Sequence, residues 1–344
     1  MKLIETKDAI GYALCHDITQ IVKGKIKDAV FRRGHVVTEE DLPILLSVGK
    51  DHIYVLEESD KDLMHEDDCA QYMIDLTIGE NMSFTPVKEG KMELVSEIDG
   101  YLTVDTHLLH KINMLDDLML ASIQGNSVVK KGTKIAGMRI IPIFVKKSQM
   151  EELRDLIGDK KLFEIKPFVR KTAGIVTTGN EVYNGIIKDK SKEALLKKYR
   201  KYELNDMEQV FSPDDKDTIK KYIKIFENEK DIIMCTGGMS IDPDDVTPSA
   251  IRESNWEIVT YGTPVLPGAM FLLSYYDRGD GENPVPVMGL PGCVMYARRT
   301  IFDLILPRVM ADDMITAEEI SELGQGGLCL ECDECTFPNC GFGK

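Results

Sequence analysis

The feature that most constrains this chain is a recurrence in its second half. A short apolar run meets a glycine turn, and helical periodicity follows. KTAGIVTTGNEV (171–182), KDIIMCTGGMS (230–240) and PVPVMGLPG (284–292) all read as strands ending in glycine turns, and KYELNDMEQV (201–210) is a further strand candidate. Between them, residues 212–230 predict a helix with Ser212 as its cap and Ile219, Tyr222, Ile223 and Phe226 on one face. Residues 294–310 predict another, ending near Pro307. Strands alternating with helices imply βαβ units, so the fold class is α/β, with a mostly parallel sheet flanked by helices. In such sheets ligands bind outside the carboxyl ends of the strands, which puts the three glycine turns on one edge.

The first half is patterned differently. Thr38 and Asp41 form a capping-box signature, with Pro43 in the first turn and Leu42, Leu45, Leu46 and Val48 as an apolar face. Gly49 suits the stop, and His52–Leu56 reads as a strand. An acidic helix over 65–79 precedes short β runs at 87–105 and 126–145 separated by Gly turns. Residues 111–125 between them predict a helix, and 148–166 a helix and a connection. The expected organisation is a small N-terminal α/β module (1–60), a β-rich module (61–147), the α/β domain (168–310) and a cysteine-rich tail (311–344).

A formal net charge of −16 repels polyanions and argues against nucleic acid or an anionic membrane as partner. With 43% hydrophobic residues the chain can bury a core, yet no apolar run is long enough to span a bilayer. Met1–Ile10 lacks the apolar stretch of a signal peptide, so the expected location is the cytoplasm.

Three turns carry chemistry. Thr178, Gly179 and Glu181 combine a hydroxyl, a flexible backbone and a carboxylate, although a glycine turn after a strand is commonly structural. Gly237-Gly238-Met239-Ser240-Ile241-Asp242-Pro243-Asp244-Asp245-Val246-Thr247-Pro248 is the densest motif. Its glycines admit close approach of a ligand, and its acids suit Mg²⁺, with Asp245 first and Asp242 second in candidacy. A mere helix cap is the lesser reading of Asp245. Gly289 and Gly292 flank the third turn, and residues 262–268 form another loop at the same edge. Asp189 is a lone charge by periodicity.

TTGNEV, IIKDKS, CTGGMSIDPDDVTPSA, the Pro-Gly loop and GLPG, in this order over about 140 residues, resemble the molybdopterin-binding domain. That domain is shared by molybdopterin adenylyltransferases and molybdopterin molybdenumtransferases. The resemblance implies that Thr178, Gly179, Gly237, Gly238, Ser240, Gly289 and Gly292 line a pterin-phosphate pocket. It also implies that Glu181, Asp189, Asp242 and Asp245 are the acids of Mg²⁺ handling and metal insertion. Met239-Ser240 and Asp244 depart from the adenylyltransferase pattern, and Ser240 is closer to the molybdenumtransferases. The Asp-Gly-Tyr-Ala motif of the latter is missing, and GLPG continues here with Cys293-Val294.

Cys329, Cys332, Cys335 and Cys340 crowd the last sixteen residues, after Gly-Gln-Gly-Gly. Four thiolates suit an iron–sulfur cluster or Zn²⁺; a metal-free redox or docking tail is the alternative. The expected function is molybdenum cofactor biosynthesis, with molybdopterin or its adenylylated form bound and molybdate inserted with Mg²⁺ by Asp245, Asp242 and Glu181. Nucleotide is a further candidate ligand, and nucleotide-phosphate hydrolysis a third possibility. The other leading candidate is a non-catalytic carrier that delivers the cofactor to a molybdoenzyme. A homo-oligomer is expected from the resemblance.

Overall fold

The computed structural model describes the chain apart from residues 1, 23–25, 56–57, 205, 241, 243 and 255; for 20–22, 26–29 and 58–59 it describes the backbone alone. The chain divides into two units. The first comprises residues 1–97, 104–123 and 132–164, and the second 98–103, 124–131 and 165–344.

In the first unit Lys2–Glu5 pairs antiparallel with His52–Val55, and Ile18–Val22 with Ile26–Phe31. The Thr38–Asp41 capping box forms, and the short helix Leu42–Ser47 follows with Pro43 in its first turn. Leu56, the expected end of the strand, lies outside the described residues. A four-stranded antiparallel sheet orders Met82–Phe84, Met92–Ser96, Lys134–Ile140 and Leu118–Ser122, and the helix Glu66–Thr77 packs on it. Cys69, Ala70, Met73, Ile74 and Thr77 supply its buried face.

The second unit is built on six strands: β1 (Thr172–Thr178), β2 (Asp206–Ser212), β3 (Ile232–Thr236), β4 (Glu257–Tyr261), β5 (Leu272–Tyr276) and β6 (Val285–Leu290). Their order is β2-β1-β3-β6-β5-β4. The first four are mutually parallel, whereas β5 is antiparallel to both β6 and β4. Helices α1 (Asn180–Tyr183), α2 (Ser191–Tyr199), α3 (Lys216–Glu227), α4 (Thr247–Arg252), α5 (Ile301–Met310) and α6 (Ala317–Glu322) complete it. The central strands are buried on both faces, as a parallel sheet requires. Ile175, Ile232, Met234 and Met288 join Phe302 and Ile305 of α5 in one core, while Val176, Ile233, Cys235 and Val287 join Ile219, Ile223 and Phe226 of α3 in the other. Gly174 makes the second packing possible: a β-carbon there would lie 2.5 Å from the Phe226 ring.

Several local expectations are corrected. Ser212 ends β2, and the cap of α3 is Asp215, which accepts the Thr218 N–H at 2.8 Å. Residues 111–125 do not form one helix. Asp105 caps a helix at Thr106–Asn113, and the apolar run Leu118–Ser122 becomes a strand. The helix predicted from residue 294 begins at Ile301, because Thr300 and Asp303 form a capping box, and it continues through Pro307 to Met310. Residues 148–166 hold the helix Lys147–Ile157 and then enter the strand Phe163–Pro167. Helix α2 was not foreseen.

Candidate functional site

Because β1, β3 and β6 are adjacent and parallel, the turns after Thr178, Thr236 and Leu290 leave one edge of the sheet. Strand β4 runs the same way, which brings the loop at 262–268 to that edge too.

The tightest part of the edge lies between β1 and β3. Gly237 and Gly238 both have positive φ, +88° and +55°. A side chain at Gly237 would collide with the Thr178 carbonyl, and a β-carbon at Gly238 would lie 2.9 Å from Thr247 Oγ1. The buried hydroxyls of Thr178 and Thr247 are 3.1 Å apart beneath this turn. Only glycine allows the backbone to run this close, and it leaves the turn open toward solvent.

The loop that follows is held by its own acids. Asp245 Oδ2 accepts the Ser240 N–H at 2.7 Å, Ser240 Oγ accepts the Asp242 N–H at 3.1 Å, and Asp242 Oδ1 accepts the Asp244 N–H at 3.1 Å. Asp245 does not cap α4, whose N-cap is Val246. Ile241 and Pro243 of this motif lie outside the described residues. Asp242 is exposed and Asp245 half-buried.

Asp189, a lone charge in the sequence, belongs to a polar network beside β1. It accepts from Ser191 Oγ (2.9 Å), the Ser191 N–H (3.0 Å) and Gln209 Nε2 (2.8 Å). Burial alone would raise its pKa. The bonds from Gln209 and Ser191 outweigh that and leave it below the usual carboxylate value. Gln209 also donates to Thr177 Oγ1 at 2.8 Å, and Thr236 Oγ1 donates to the same oxygen at 3.0 Å. The network ties β1, β2, β3 and α2 together directly behind the glycine turns.

Thr178, Gly179, Gly237, Gly238, Ser240, Asp242 and Asp245 thus lie in the turns or loops at this edge, with Asp189 at its flank. Glu181 sits on α1 and is exposed. Gly289 is buried within β6, where its missing side chain makes room for the Met239 thioether, and Gly292 is exposed in the third turn. Ser191, Gln209 and Thr247 were missed as site residues. The Asp189-x-Ser191 spacing was the signal for Ser191, while Gln209 inside a strand carried none.

Among the described residues no group of three or more His, Cys, Asp or Glu side chains could hold a metal ion. Asp242 and Asp245 each spend one carboxylate oxygen on a backbone N–H of their own loop. None of the eight cysteines forms a disulfide; Cys329 and Cys340 pack against the core, and Cys332 and Cys335 are exposed. The cysteine tail, as arranged, does not fit Zn²⁺ or an iron–sulfur cluster.

Residues 174–311 match the family described as "Probable molybdopterin binding domain", and residues 3–57 match a domain of unknown function. The chain therefore carries a molybdopterin-binding domain of the cofactor-biosynthesis type. It is 33% identical over 84 residues to a CinA-like protein of Pseudothermotoga lettingae, covering 24% of this chain and 21% of that one. It is 21% identical over 283 residues to a "Putative molybdopterin biosynthesis protein" of Methanocaldococcus jannaschii, covering 79% and 66%. Both alignments span less than two thirds of the relative. Among solved structures it is similar to the molybdopterin biosynthesis enzyme MoaB of Thermus thermophilus, with 21% identity, 42% and 98% coverage and a TM-score of 0.32. No described helix is long and apolar enough to cross a membrane.

Proposed function

We propose that the edge formed by the turns after β1, β3 and β6 binds molybdopterin or its adenylylated form, and that the protein inserts molybdate into it in the cytoplasm. The observation that carries this is the glycine pair Gly237-Gly238 stacked over the Thr178 and Thr247 hydroxyls at the carboxyl edge of a parallel sheet, within the domain that matches the family. Such a turn offers backbone N–H groups and hydroxyls to a phosphate, and the absence of side chains lets the ligand reach them. Ser240 presents its hydroxyl on the same loop. Asp245 holds the loop in shape through the Ser240 N–H, and Asp242 and Glu181 supply exposed carboxylates beside it. The chain's own contribution is to bind and orient the two substrates. Asp245 is a positioning residue in this scheme.

The test is anaerobic incubation of the protein with molybdopterin or its adenylylated form and molybdate, with and without Mg²⁺, scoring bound pterin and active cofactor. Conversion in the wild type with loss in Asp245→Asn supports insertion. Tight pterin binding without conversion makes the protein a carrier that delivers cofactor to a molybdoenzyme. Absence of pterin binding overturns the proposal.

A further inference from the structure

A well-formed cavity of the second unit lies away from the glycine turns. It has a volume of about 570 Å³ and lies between α2, the segment before α5, and the cysteine-rich tail. That is the size of a site for a small organic ligand and far more than a tetrahedral oxyanion fills. Its walls include Lys197, Lys198, Lys201, Arg298, Arg299 and Asp303. In a chain of net charge −16 such a gathering of cations is a local reversal of sign.

The acids present do not neutralise it. Asp303 is shared by Lys198 at 2.7 Å and Arg299 at 2.9 Å, and Lys197 reaches Glu193 at 2.8 Å in an exposed pair. Glu319, another lining acid, is taken by Arg308 at 2.7 Å, and Glu322 also lines the cavity. Lys201 forms no ion pair among the described residues. Arg298 spends one nitrogen on the carbonyls of Cys332 and Asp333, at 3.0 and 2.7 Å, and meets no carboxylate within ion-pair distance among the described residues. Arg299 Nε is buried with no hydrogen-bond partner among the described residues. Desolvation, followed by the nearby Arg299 charge, lowers the pKa of Lys201. A wall on which Lys201 and Arg298 carry charge with no carboxylate opposite is stabilised by an anion, while Arg299 is already held by Asp303 and the Cys335 thiol. Tyr202 and Phe337 add aromatic surface, and the Arg299 guanidinium lies 4.8 Å from the Phe337 ring centre.

We propose that this cavity is a second ligand site, separate from the glycine-turn edge, for a phosphorylated small molecule carrying a ring. Lys201 and Arg298 bind the phosphate, and the aromatic wall takes the ring. The site stands independently of the function proposed above.

The full-length protein is titrated calorimetrically at low salt with guanosine 5′-monophosphate, guanosine and inorganic phosphate. Saturable binding of the monophosphate is expected, tighter than that of phosphate, and no binding of guanosine. Lys201→Gln and Arg298→Gln, both at exposed positions, should each weaken it about tenfold, the loss expected for one charged hydrogen bond. Asp245→Asn should leave it unchanged. Acetylation mapped by mass spectrometry gives a second readout that needs no variant: the monophosphate should protect Lys197 and Lys201. Lack of saturable binding overturns the proposal. So does phosphate binding as tightly as the monophosphate, unprotected lysines, or a loss that follows Asp245→Asn and spares the cavity variants.

Discussion

At the scale of single residues, the site depends on two glycines and a polar network around one half-buried carboxylate. Gly237→Ala forces a side chain into a left-handed conformation and against the Thr178 carbonyl. It should destabilise the protein by about 1–3 kcal/mol, read from urea denaturation, and weaken pterin binding as well. Asp189 gives a pH signature. Its folded pKa lies below the ordinary 3.8, so its contribution is fully present above that value and is lost as pH falls through the lowered one. Asp189→Asn should therefore shift the urea midpoint at pH 6 and converge on the wild type in strong acid. An equal gap at both pH values would contradict this. The glycines could be read from sequence, because a glycine pair directly after an apolar run marks a sharp turn at a strand end. The network could be read only in part: Asp189 and Ser191 meet locally, but Gln209 joins them only when β2 pairs with β1, a contact that no local pattern announces.

At the scale of elements, the helices that flank the sheet are placed by specific side chains. Gly174 is the contact point of α3, and Gly174→Ala would press a methyl group into Phe226. Overpacking of this kind costs about 1–3 kcal/mol, and a melting curve will show it. The start of α5 rests on Thr300, which is buried and caps the helix together with Asp303. Thr300→Ala should cost about 1–2 kcal/mol. The strands of the sheet were legible because burial on both faces leaves them continuously apolar. The start of α5 was not, since apolar Val294 and Met295 continue the helical pattern backward while the backbone there forms a separate 3-10 turn at Gly292–Met295. Helix α2 was hidden for the opposite reason: four of the nine residues of SKEALLKKY are charged, and only Leu195 and Tyr199 of its hydrophobic residues are buried.

At the scale of the molecule, the second unit is not one continuous piece of chain. Its 98–103 segment pairs with its 124–131 segment, where Ser127 faces Leu102 and Val129 faces Gly100. Val128 packs against the core that holds Phe302, Ile315 and Ile320. A fragment beginning at residue 165 keeps every strand of the six-stranded sheet but loses this ribbon. It should melt below the full-length protein and bind a hydrophobic dye; an unchanged melting temperature would show the ribbon to be dispensable. The division also sets an order of events on the ribosome. Tyr101 and Val128 leave the exit tunnel first, yet the helices α5 and α6 that they lie beside are made about 200 residues later. At about 5–20 residues per second that is a wait of roughly ten to forty seconds. Until those helices are made the ribbon lacks the surface it packs on, so this part of the α/β unit can close only after α5 and α6 have emerged.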